Sequence, residues 1–162
     1  MFPRVSLLVS ACALCGACLS ALGQNALYPR CNAHTMVGEW SFSCSGIAPN
    51  PYTLSATQTT PLVQPFAMNG EFTVNGKGEI EGPATASFNG QLTEMNATTA
   101  GGNPLVLHPD CTGTVTYQVS MPDFPTSPMS FRTVLVNNGD EGFGMPTNPG
   151  MVVTCHLVRI HR

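Results

Sequence analysis

The stretch Phe66-Ala67-Met68-Asn69-Gly70-Glu71-Phe72-Thr73-Val74-Asn75-Gly76-Lys77-Gly78-Glu79-Ile80-Glu81-Gly82-Pro83-Ala84-Thr85-Ala86-Ser87-Phe88 decides the fold class. From Phe66 to Val74 the apolar residues alternate, with Met68, Phe72 and Val74 on one side, the period of a half-buried strand. Asn75-Gly76-Lys77-Gly78 then supplies residues that tolerate positive φ, the signal of a tight hairpin, and Glu79 to Phe88 forms the returning strand. Asn89-Gly90 repeats the device and leads into a strand from Gln91 to about Thr99.

The same grammar extends outward in both directions. Upstream, Val37 to Gly46 alternates with Trp40, Phe42 and Cys44 on one face and Glu39, Ser41 and Ser43 on the other; a Pro-rich loop, Ala48 to Pro51, follows. Downstream come a Gly-Gly-Asn-Pro turn, a short apolar piece at Leu105 to Leu107, a turn at Asp110-Cys111-Thr112-Gly113, and a strand at Thr114 to Ser120 whose Val115, Tyr117 and Val119 share a face. Three prolines between Met121 and Pro128 predict an irregular loop. Phe131 to Val136 is the next strand, Asn137 to Gly142 a turn, Gly144 to Met151 a loop, and Val152 to Ile160 the last strand. No segment sustains a helical period, so the expectation is an all-β domain: a single antiparallel meander of seven to eight strands, closed into a small barrel, with a β-sandwich as the alternative.

Composition agrees. The 162 residues allow one domain; only 9% are charged, whereas 16 Gly and 14 Pro favour turns and short strands. Residues 1–23 follow the order of a secretory signal: Arg4 supplies the positive charge, Val5 to Leu19 are apolar or small, and Ala21-Leu22-Gly23 offers a cleavage site. Residues 24–36 then form an N-terminal arm and 37–162 the barrel domain. Cys12, Cys15 and Cys18 fall in the leader, which removes the metal-ligand reading of their spacing; a lipoprotein box at Val9-Ser10-Ala11-Cys12 is a minor alternative. Without the leader, five Lys/Arg stand against nine Asp/Glu, a net charge near −4 with no basic cluster. That balance disfavours nucleic acid and anionic membrane surfaces as partners. No later run approaches the ~20 apolar residues of a membrane span.

Four cysteines remain in the mature chain, Cys31, Cys44, Cys111 and Cys155. In an exported chain they read as two disulfides, for which three connectivities exist. Cys44 shares the face of Trp40 and Phe42, and Cys155 shares that of Val153 and Leu157. If the first strand pairs with the last, the favoured set is Cys44–Cys155 inside the barrel across its closing seam, and Cys31–Cys111 tying the arm to a turn. Asn96-Ala97-Thr98 is a glycosylation sequon, which in a eukaryotic secretory route would place Asn96 at the surface.

Candidate chemistry is sparse. His34, His108, His156 and His161 lack metal-site spacing and read as turn or solvated residues, so no metal and no cofactor is called for. Gly-x-Ser-x-Gly is absent. Arg132, between Phe131 and Thr133 in a chain with few cations, is the most suggestive single residue: inside a barrel mouth it could clamp an anionic or carbonyl group, and on the outer face it would be solvated. Glu39, Glu71 and Glu94 read as strand-surface carboxylates. Trp40, Phe42, Phe72 and Tyr117, with Arg132, make up the candidate ligand pocket, and seven methionines of the mature chain add adaptable apolar volume.

Gly38-Glu39-Trp40-Ser41-Phe42, Gly70 to Gly78, Pro109-Asp110-Cys111-Thr112-Gly113-Thr114-Val115 and Pro149-Gly150-Met151-Val152-Val153 resemble a group of small exported proteins of unknown function. The strand plan is similar to that of allene oxide cyclase and dirigent-type barrels, and more distantly to lipocalins. The resemblance implies a barrel and matches no catalytic residue. Two functions are expected from these readings. One is a secreted module that binds a hydrophobic small molecule or acts as an extracellular interaction partner. The other is a cofactor-free cyclase or isomerase acting by positioning alone. Oligomeric state is left open.

Overall fold

In the computed structural model the described residues are 30–54, 57, 59–99 and 104–161. The leader, residues 24–29 of the expected arm and the Gly-Gly-Asn portion of the turn before Pro104 lie outside them.

The described residues form nine antiparallel strands: β1 (Gly38–Asn50), β2 (Leu62–Val74), β3 (Ile80–Phe88), β4 (Gln91–Thr98), β5 (Leu105–Leu107), β6 (Thr112–Met121), β7 (Phe124–Val136), β8 (Glu141–Pro146) and β9 (Val152–His161). β1 pairs with both β2 and β9, and β4 pairs with β6, so eight strands close into a barrel while β5 adds to the edge of β6. The expected closure of first strand on last is the arrangement found. Cys44 lies directly opposite Cys155 in the β1–β9 ladder, and both expected disulfides, Cys44–Cys155 and Cys31–Cys111, are present.

Three segments expected as loops are strand instead. β1 runs on through Pro49 to Asn50, β7 starts at Phe124 and so includes Pro125 and Pro128, and Glu141 to Pro146 forms β8. The prolines are tolerated because each lies where one neighbouring ladder is missing. The β1–β9 ladder stops at Ile47, β7 meets β8 only from Phe131 onward, and the β2–β3 ladder skips the rungs of Pro83 and Gly82. β8 escapes the alternation test because its inward positions are Gly142 and Gly144, beside Leu135, Phe131 and Leu157, whose side chains occupy the interior there.

Each end of the barrel has its own stopper. At the end where β1 begins, a 3₁₀ turn (Ala33–Met36), capped by the Asn32 side chain, covers the opening. Trp40 is fully buried below it, and its indole Nε1 donates to the Met36 carbonyl at 2.9 Å. At the opposite end a second 3₁₀ turn (Pro51–Thr53) follows β1; Asn50 caps it by accepting from the Tyr52 backbone N–H at 2.9 Å, and the Asn50 amide donates to Gln64 at 2.7 Å.

Candidate functional site

Between the two stoppers lies an interior cavity of ≈ 70 Å³. Parity places its walls: alternate residues of every strand face inward. Phe42 from β1, Phe72 from β2 and Tyr117 from β6 line it, with Met68, Met95 and Met129 and the Cys44–Cys155 bridge. Phe42 and Phe72 meet at 5.8 Å between centroids, and Tyr117 stacks on Phe131 at 5.7 Å with planes 9° apart.

Of the five residues expected in a pocket, the barrel therefore gathers three, Phe42, Phe72 and Tyr117. Trp40 does not reach the cavity: it forms the layer beneath, stacked against Phe72 at 6.3 Å. Arg132 is a correction. It is exposed, between inward Phe131 and Thr133, so its side chain stands on the outer wall. Strand parity alone gives this result, because Phe131 and Thr133 claim the interior. Glu39, Glu71 and Glu94 are exposed as read, with Glu94 beside the Thr85 hydroxyl. Asn96 is exposed on β4. His156 pairs with Glu141 at 2.6 Å and stacks on Phe143. Among the described residues no three His, Cys, Asp or Glu side chains are grouped as metal ligands, and no helix is long and apolar enough to cross a membrane.

Tyr117 is the chemically distinct element of the cavity. Among the described residues its hydroxyl has only the Met129 thioether, at 3.8 Å, as a partner, a weak acceptor for a buried O–H. Burial pushes the phenol well above its usual titration range, so it is neutral across physiological pH. Of the other polar residues at the wall, Glu71 is exposed, and Thr133 spends its hydroxyl on the Phe143 carbonyl. The interior thus offers apolar contact on all sides and one hydroxyl free to form a better hydrogen bond.

Two groups escaped the sequence reading. Tyr52 closes the end of the barrel above the cavity, with its hydroxyl donating to buried Thr93 at 2.7 Å and its ring edge-on to Phe124 at 4.8 Å and Phe88 at 6.4 Å. Asn50-Pro51, a capping residue followed by proline at the first helical position, is the signal that could have located this turn. The connections at this end, residues 51–61, 89–90, 122–123 and 147–151, carry one charge, Asp123. Arg159 is the second: its side chain is 7% exposed, it pairs with Asp140 at 2.8 Å, and it donates to the carbonyls of Thr35, Val37 and Gly139. It pins the 3₁₀ turn over the other end.

No protein-family model, no curated protein and no solved structure matches this chain. The resemblance to small exported barrels stays an expectation.

Proposed function

We propose that this protein is an exported barrel that holds a small apolar molecule in its interior, with the Tyr117 hydroxyl as the polar contact that orients it. The observation that carries this reading is the lining of the cavity: aromatic, aliphatic and thioether side chains predominate, and the buried Tyr117 hydroxyl has, among the described residues, a sulfur as its one hydrogen-bond partner. Such a site rewards a guest that brings a carbonyl or hydroxyl to Tyr117 and apolar surface to the rest.

The volume limits the guest. At ≈ 70 Å³ the cavity is far below the roughly 300–1,000 Å³ of pockets that hold drug-sized ligands. Methionine side chains are unbranched and adaptable, so Met68, Met95 and Met129 are the residues that would move to admit a larger molecule. The end at Tyr52 is the favoured entrance, because its connections carry the single charge of Asp123 and otherwise present an apolar guest with no ionic group that must be desolvated. Export is supported by the signal-like leader and by two disulfides, which persist in oxidising compartments.

The cyclase alternative draws less support. Of the polar groups that could steer a reaction, Arg132, Glu94 and Tyr117, only Tyr117 faces the interior. A surface-interaction module is the second reading; it is favoured by outward apolar side chains such as Leu92 and Val152, 71% and 70% exposed. The test is saturable binding of a neutral apolar fluorophore, N-phenyl-1-naphthylamine, by the disulfide-intact protein. One-site saturation supports the interior site; absence of binding leaves the surface module.

A further inference from the structure

On the outer wall of β6, β7 and β8 lies a groove of ≈ 590 Å³, within the size range of ligand sites; it shares Thr133, Gly144 and Cys155 with the interior cavity, but its outward side chains are its own. Two outward rungs of the sheet build it. In one, Arg132 stands opposite Thr114 on β6 and Met145 on β8; in the next, Val134 stands between Thr112 and Phe143. His108 and Thr154 complete the lining.

The fold leaves the charge of this groove unanswered. Arg132 makes no hydrogen bond or ion pair with any described residue, in contrast to Arg159, whose donors are engaged by Asp140 and three carbonyls. Thr114 and Thr154 likewise keep their hydroxyls free, whereas Thr112 donates its own to Asp110 at 2.7 Å. That bond and the Thr112 backbone N–H hold the Asp110 carboxyl below its usual range, so the carboxylate is satisfied locally. Beside the guanidinium, Met145 is 57% and Phe143 46% exposed. An unpaired guanidinium next to uncovered apolar side chains and free hydroxyls matches one ligand chemistry: an anionic head on an apolar body.

We infer that this groove binds an amphipathic carboxylate, its head forked onto Arg132 with Thr114 alongside and its apolar body over Met145 and Phe143. The guanidinium presents parallel N–H donors that fit both oxygens of a carboxylate, which an ammonium or a neutral amide cannot do. The site does not depend on the interior cavity, and its occupant differs in charge from the guest assigned there.

Decanoate and decanol test this, because they share an alkyl chain and differ in the head. Calorimetric titration of the folded, disulfide-intact protein is expected to show one decanoate site that weakens with added salt, and weaker binding of decanol. Arg132→Gln, at an exposed position without partners, should keep the melting temperature. It should weaken decanoate at least about tenfold and leave decanol unchanged. Ala84→Phe, inside the barrel, should leave decanoate binding intact. Equal binding of the two probes, no binding of either, an unaffected Arg132→Gln protein, or loss of the decanoate site in Ala84→Phe would each overturn the inference.

Discussion

The Arg159 guanidinium carbon lies 4.3 Å from the centroid of the Trp40 ring, so the last strand holds the first by a buried cation over an aromatic face. The same guanidinium anchors the Thr35, Val37 and Gly139 carbonyls, which binds the 3₁₀ stopper and the β7–β8 turn to one end of the barrel. Truncation at Arg159 therefore loses a desolvated cation–π contact and strands several carbonyls. Arg159→Ala is expected to destabilise the protein by about 2–4 kcal/mol. Arg159→Lys keeps the charge but not the fork, and should recover less than half of that. Denaturant midpoints measure both; a loss under about 1 kcal/mol for the alanine variant would show that the end is held by other contacts.

Much of this architecture was legible in the sequence, and the failures share a cause. Alternation around Trp40, Phe42 and Cys44 and around Val153, Cys155 and Leu157 was enough to place a disulfide inside the barrel, because parity is a property of the strand itself. Pro125, Pro128 and the Gly142-Phe143-Gly144 run were misread because a proline's effect depends on whether a neighbouring strand is present, and a glycine's on what lies across the core; both are tertiary facts. The candidate site was half legible. Phe42, Phe72 and Tyr117 were placed in a pocket by face, but Trp40 was not separated from them, since depth along the barrel axis is invisible to a period-two pattern. Tyr52 and Arg159 act through contacts between segments far apart in sequence, which only the closed fold brings together.

Closure also makes the two disulfides cross-links between distant parts of the chain, with separations of 80 and 111 residues. Mass measurement after alkylation under denaturing conditions should find no free thiol at Cys31, Cys44, Cys111 or Cys155. Loss of either bridge through a Cys→Ala pair should cost about 2–5 kcal/mol. A free thiol at Cys44 or Cys155 in the folded protein would remove the covalent seam from the account.

Alkaline stability should report the buried phenol. Tyr117 titrates higher in the folded barrel than in the unfolded chain, where a tyrosine has a pKa of about 10. Above that pH the unfolded state releases a proton that the folded state retains, so stability is intact below about pH 10 and falls as the pH rises further. Melting temperatures between pH 8 and 11 should decline more steeply for the native protein than for Tyr117→Phe. Parallel curves would mean that the hydroxyl is not sequestered.

Close approach of β2 and β3 gives a local check on the register. A Cβ on Gly82 would meet the Glu71 carbonyl oxygen at 2.1 Å and the Phe72 Cα at 2.6 Å, both backbone atoms that cannot swing away. Gly82→Ala should therefore destabilise by roughly 1–3 kcal/mol and disturb Phe72 at the cavity wall. A neutral substitution would place Gly82 elsewhere in the sheet.

Ala84 and Ala86 both face inward, but Ala84 lines the cavity whereas Ala86 is buried against the surrounding core. That difference permits the most direct test of an interior ligand site: titration of N-phenyl-1-naphthylamine into the native protein and into Ala84→Phe, with circular dichroism recorded on both. The account predicts one saturable site in the native barrel, lost in Ala84→Phe while the β-sheet spectrum is retained. A native protein that fails to bind the probe, with an Ala84→Phe variant that merely loses about 1–3 kcal/mol of stability through overpacking, would contradict it.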